Sequence, residues 1–111
     1  MEKIKSIYGF SKIEVEGELY PLQKWYNQLI EKTIYEITIA DVLRMIRQNE
    51  FIEIAISRAI CYYKNNPFAG ELYEGELLEK MALFDIIQLG EYMYEIRNIL
   101  ENALRENEVY E

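Results

Sequence analysis

The chain has 111 residues, half of them hydrophobic and 29% charged, with a net charge of −8. That is enough for one globular domain (1–111) with a modest core, and it excludes disorder. With no histidine and one cysteine, Ser–His and Cys–His catalysis, an internal disulfide and a multi-cysteine metal site are excluded, and the acidic balance disfavours nucleic acid, whose phosphates need clustered Lys and Arg.

The N-terminus, MEKIKSIYGF, lacks the continuous apolar core of a signal peptide, and no apolar run approaches the roughly 18 residues of a membrane span. The expected location is therefore the cytoplasm. Residues 11–20, SKIEVEGELY, alternate, with Ile13 and Val15 on one face and Glu14 and Glu16 on the other. With Glu16-Gly17 as a turn, they read as a short hairpin that helices would have to support.

Pro21 suits the first turn of a helix. Leu22, Trp25, Tyr26, Leu29 and Ile30 follow at helical spacing, which predicts an amphipathic helix to about Lys32. TIYEIT is a β-branched connector. Thr38 and Asp41 have the spacing of a capping box and open a second helix. Its predicted buried side is Ile39, Val42, Leu43 and Ile46, and it ends near Gln48-Asn49. An i, i+3 ion pair between Asp41 and Arg44 is expected there.

Phe51 to Tyr63, FIEIAISRAICYY, is apolar almost all round. It predicts a central helix touched on several sides, with Cys61 as a small buried hydrophobe. Asn65-Asn66-Pro67 ends it. Gly70 and Gly75 punctuate the next stretch, and a short helix is predicted from Glu76 to Leu83 with Leu77, Leu78, Met81 and Ala82 inward. Asp85, with Gln88 three residues on, is the predicted cap of the last helix. Ile86, Leu89, Met93, Ile96, Leu100 and Ala103 form its apolar seam, short enough to pack within a bundle. Gly90, inside that helix, is expected to permit a close helix approach. The expected fold is an all-α bundle of four or five helices, with the N-terminal hairpin as an optional addition. GELY occurs at 17–20 and at 70–73, but the flanks differ, so it is no repeat.

The charge is unevenly placed. Residues 1–66 hold nine Lys/Arg and nine Asp/Glu, whereas residues 67–111 hold three and eleven. The whole excess lies in the second part. It reads either as a solvated face that aids solubility or as a surface that attracts a basic partner. Within it, NPFAGELYEGELLEK (Asn66 to Lys80) carries four glutamates, Glu71, Glu74, Glu76 and Glu79, interleaved with Leu72, Tyr73, Leu77 and Leu78. Paired carboxylates there are the one conceivable catalytic feature. A small bundle offers little concavity for them, and the DxDxDG calcium pattern is missing. The expectation is no enzyme, no cofactor and no metal.

Two segments, KTIYEITIADVLRMIRQNEFIEIAISRAI (Lys32 to Ile60) and NPFAGELYEGELLEKM (Asn66 to Met81), with the lead-in YGFSKIEVEGELYPLQKWY, are similar to bacterial immunity proteins of contact-dependent growth inhibition systems. The resemblance implies a small cytosolic protein that binds and neutralises the C-terminal toxin domain of a delivered effector. Many such toxin domains are nucleases, whose phosphate-binding face is basic. The partner-binding candidates are Glu71, Tyr73, Glu74, Glu76 and Glu79, with Glu91 and Glu95 on the last helix. The rival reading is a helical adaptor or regulator that binds another basic protein.

Overall fold

The computed structural model describes residues 2–84 and 89–110, with side chains as far as residue 103. Among the described residues there are six α-helices and no strand: α1 (Ile4–Tyr8), α2 (Pro21–Ile30), α3 (Ile39–Gln48), α4 (Ile52–Asn65), α5 (Glu76–Met81) and α6 (Met93–Tyr110). Short 3-10 turns occupy Ile34–Glu36 and Gly90–Tyr92. The fold is the expected small helical bundle. Four helices stand where the apolar spacing put them, the predicted last helix is interrupted by the 3-10 turn at Gly90–Tyr92 so that α6 starts at Met93, and α1 is additional. At five residues α1 is too short to show a period. Burial of Ile4 and a left-handed Gly9 (φ 69°) at its end define it.

Proline opens α2, and Trp25, Leu29 and Ile30 are its buried residues. Leu22 stays exposed at the rim. The capping box of α3 forms as its spacing implies: the Asp41 amide donates to Thr38 Oγ1 (3.1 Å) and the Thr38 amide to Asp41 Oδ2 (3.1 Å). Asp41 does more than cap. Its Oδ1 accepts from Trp25 Nε1 (3.0 Å) and its Oδ2 from Lys32 Nζ (2.5 Å). One buried carboxylate thus ties α2, the connector and α3 together. The expected Asp41–Arg44 pair is absent, because three donors already fill the carboxylate. Arg44 instead lays its guanidinium 5.3 Å over the Trp25 ring, a cation–π contact.

Burial pushes the Asp41 carboxyl up, but hydrogen bonds from Lys32, Thr38 and Trp25 outweigh it and hold the group below its ordinary 3.8. A folded-state pKa below the unfolded one stabilises the fold above the unfolded value, and the gain is lost as pH falls through the folded value. Asp41→Asn keeps one acceptor but turns an NH2 toward donors. It should lower stability near neutral pH by about 1–3 kcal/mol and flatten the acid limb of the stability–pH curve below pH 3.8. Urea melts from pH 7 to pH 2 test this. An unchanged acid limb would mean that the carboxylate's bonds are not stabilising.

Helix α4 is the centre of the core. Ile54, Ala55, Ile56, Ala59 and Ile60 are buried, and α3 packs along it with Val42, Leu43 and Met45. Tyr62 donates its hydroxyl to the Ile37 carbonyl (2.6 Å). Cys61 is exposed, contrary to expectation. It lies seven residues, about two helical turns, beyond Ile54 on the same stripe, where the chain leaves the helix uncovered.

Asn49 (φ 55°) and Phe51 (φ 47°) are both left-handed. For a bulky residue that conformation is strained, by roughly 1–3 kcal/mol. Three rings hold Phe51 in it: Tyr8 at 5.1 Å, Phe10 at 5.6 Å and Tyr26 at 6.0 Å between centroids. The same cluster pins the N-terminal segment to the bundle. The expected hairpin is not there. Residues 11–20 bend at Glu16-Gly17 but form no ladder. The Asn27 side chain takes both backbone groups of Ile13, accepting from its N–H (2.7 Å) and donating to its carbonyl (3.0 Å). Those are groups a second strand would have used. A single antiparallel bridge joins Lys3 and Thr33 instead.

In α5, Leu77 and Met81 are buried, Leu78 is half-buried, and Ala82, past the helix end, is exposed. Leu89, Ile96 and Ile99 bring α6 onto the core. Gly90 is left-handed (φ 50°), and a Cβ placed on it would meet nothing within 4 Å. It turns the chain into α6 and permits no close helix approach. Asp85, Ile86 and Gln88, assigned to a cap and a seam, lie outside the described residues.

Candidate functional site

The stretch between α4 and α5 is a loop in which most of the backbone donors bond within the loop and the start of α5. Asn66 ends α4 and starts the turn. Its Oδ1 accepts from the Phe68 amide (3.0 Å) and its carbonyl from the Ala69 amide (3.0 Å). Gly75 N–H donates to the Phe68 carbonyl (2.9 Å) and Leu77 N–H to the Ala69 carbonyl (3.0 Å), which draws the two ends together. Between them the amides of Glu71 and Leu72 donate to one oxygen, Glu76 Oε1, at 2.9 and 3.1 Å. Gly75 is left-handed (φ 82°). A Cβ on Gly70 would overlap the Tyr73 carbonyl oxygen and press on Glu76 Cβ at 2.8 Å. Both glycines are therefore required by the path of the chain.

With the backbone turned inward, the side chains stand outward. Leu72 is 79% exposed and Tyr73 45%, and Phe68 is exposed too. Leu83, past the end of α5, is 71% exposed. Beside the loop lies a groove of about 470 Å³. Leu43 and Ile46 of α3 form one wall, Leu72 and Tyr73 another, and Leu83 and Phe84 a third, with Arg47, Lys80 and Glu76 at the polar positions. Glu71 and Glu74 on the loop and Glu79 on α5 are exposed. Partial desolvation raises the Tyr73 hydroxyl above its ordinary pKa, and its hydrogen bond to Glu79 adds to that.

Glu71, Tyr73, Glu74 and Glu79 are thus gathered in one neighbourhood by the loop and the first turns of α5. Glu76 is in the same run but is buried, at 6% exposure, under the loop. The Leu72 and Glu71 amides hold its carboxyl below the usual carboxylate range. A general acid needs the reverse, a raised pKa. Glu91 is exposed on the 3-10 turn before α6. Glu95 is engaged by Lys64 (2.5 Å), an ion pair that fastens α6 to α4, and Glu101 by Arg97 (3.2 Å). Phe68 and Leu83 were missed in the sequence. The signal was an apolar residue lying off any helical stripe, next to Pro67 in one case and beyond the last inward position of α5 in the other.

Among the described residues no three acidic or Cys side chains converge as a metal site, and no described helix is long and apolar enough to cross a membrane. The arrangement suits binding: large apolar side chains at the centre, carboxylates at the rim, the usual anatomy of a protein interface. A family model described as CDI immunity proteins matches residues 6–99, which include the entire loop and groove. No curated protein matches the chain.

Proposed function

The chain belongs to the CDI immunity proteins, which neutralise the toxins of contact-dependent growth inhibition, and on that premise we propose that it does so by gripping the C-terminal toxin domain of its cognate effector with the loop of residues 66–76. The observation that carries this reading is the pairing of exposed apolar side chains (Phe68, Leu72 and Tyr73 on the loop, Leu83 past α5) with three exposed carboxylates, Glu71 and Glu74 on the internally bonded loop and Glu79 on α5. Exposed apolar side chains grouped in this way mark interaction surfaces. Tyrosine is among the residues that dominate binding energy.

The partner surface is basic in this reading. A nuclease toxin must hold phosphates with Lys and Arg. A chain of net charge −8, with its whole excess after residue 66, competes for such a surface. The place of action is the cytoplasm, and the protein works by occupancy and turns nothing over. The test is to produce the toxin domain encoded beside this chain, with and without it. A co-purifying complex and loss of toxic activity are expected. A toxin that stays active and unbound would overturn the reading.

Salt gives a further expectation. Exposed charges are screened beyond about 10 Å at 0.1 M. If the acidic rim steers the encounter, the association rate should fall by about tenfold or more from low to high salt, while dissociation changes little. Stopped-flow measurements check this, and a rate flat across the series would remove steering from the account.

A further inference from the structure

We propose that Glu76 is a positioning residue for toxin recognition: it never touches the toxin, but its carboxylate holds the loop in the shape that binds. The proposal rests on the loop being the recognition element.

The geometry is specific. Glu71 and Leu72 immediately precede Tyr73, and their amides converge on the single oxygen Glu76 Oε1 at 2.9 and 3.1 Å. Turning these two amides inward leaves Leu72 and Tyr73 displayed on the outer side. Bonds from amides to an ionised carboxylate are stronger than neutral ones. Gly70 is packed so tightly on Tyr73 and Glu76 that no side chain fits, and Gly75 takes a backbone region that favours glycine. The run Gly70–Glu76 therefore works as one device, with four displayed residues, two glycines that set the path and one carboxylate inside.

A carboxylate in this place is notable. It adds negative charge beneath a surface that already carries Glu71, Glu74 and Glu79. Lys80 and Arg47 partly offset it, and the group stays ionised. What it supplies is order. A surface loop that must become ordered on binding loses affinity to entropy, whereas one ordered beforehand does not. Glu76 should accordingly govern affinity as strongly as the residues that touch the toxin.

The experiment uses the full chain and its toxin domain with three variants, Glu76→Gln, Glu76→Ala and Gly70→Ala. Each is measured for toxin Kd, amide exchange at Glu71 and Leu72, and exchange in α4 as a control for the fold. Glu76→Ala should speed exchange at both loop amides and raise Kd by about tenfold or more, since bonds to a charged group are lost. Glu76→Gln keeps an acceptor oxygen and should fall between parent and alanine on both measures. Gly70→Ala keeps the carboxylate but presses a methyl group on the Tyr73 carbonyl and on Glu76 Cβ, which distorts the same loop, and it should lie on the same trend. Kd rising with the exchange rate of the Leu72 amide, at constant α4 protection, is the expected result. Faster loop exchange with an unchanged Kd would overturn the proposal, as would unchanged exchange in Glu76→Ala. If Glu76→Ala does not fold, the trend is read from the other two variants, and a Kd that ignores loop exchange in both is equally fatal. Tyr73→Ala separates the two readings: no effect on Kd there removes the loop as interface, whereas a clear effect with Glu76 variants inert removes positioning alone.

Discussion

Ile56→Ala should lower the stability of the chain by about 2–5 kcal/mol, the usual loss for a fully buried Ile cut to Ala. Ile56 is completely buried in the middle of α4, the helix that α3 packs along. The removed atoms lose their transfer free energy. The surrounding helices cannot close fully on the space, so a cavity adds to the loss. Trp25→Ala should fall in the same range for a mixed reason. The ring is nearly buried, donates to Asp41 and carries the Arg44 guanidinium on its face. Its removal leaves Asp41 one donor short. In a chain of this size either change corresponds to a fall of about 10 °C or more in melting temperature. Melts of both variants that matched the parent would show that these helix faces are wrongly assigned.

What was legible in the sequence was local. The Thr38–Asp41 box needs only residues three apart, and it formed as spaced. Pro21, the apolar stripe of α2 and the stop at Asn65-Asn66-Pro67 are of the same kind. What was not legible depended on partners far along the chain. Asp41 sits three residues from Arg44, yet it took its cations and donors from Lys32 and Trp25, which only the packing of α2 on α3 brings near. Ile13 looked like a strand residue until Asn27, fourteen positions away, bonded both of its backbone groups. Cys61 shares a stripe with Ile54, but the covering of that stripe ends before it. Met45, three residues past Val42, shares the helical period and is fully buried, although the predicted face left it out.

The candidate site shows the same division. Composition pointed to the loop proposed above, because acids, glycines and an aromatic crowd there. It could not separate Glu74 from Glu76. The two differ only in which way the backbone turns them, and that is decided by the packing of Gly70 and the left-handed Gly75. Charge counting also overstated the usable surface. Of the acids after residue 66, Glu76 is held by amides, Glu95 by Lys64 and Glu101 by Arg97. Those exposed with no ion-pair partner among the described residues are Glu71, Glu74, Glu79 and Glu91. Three of these four lie on the loop or on the helix that follows it.

The pairing of apolar centre and acidic rim sets the largest expected effect on binding. Glu74→Lys combined with Glu79→Lys should weaken the toxin complex by at least about 1–2 kcal/mol per important contact. Tyr73→Ala should do the same by removing the aromatic anchor. The reversals act in three ways. They remove attraction, set cations against a basic partner, and halve the net charge from −8, which slows the encounter. Glu79→Lys also strips Tyr73 of its hydrogen-bond partner, so the two sets of changes should be less than additive when combined. Stability should hardly move, because exposed substitutions usually change it by under about 0.5 kcal/mol. Titration calorimetry and thermal melts on the same variants therefore separate the possibilities. Weaker binding with an unchanged melt supports the loop as interface. A collapsed melt in Tyr73→Ala would mean that the ring, though 45% exposed, is part of the packing. Full affinity in both variants would remove this loop from the interface and move the search to Glu91, Glu95 and Glu101, where α6 begins and runs on.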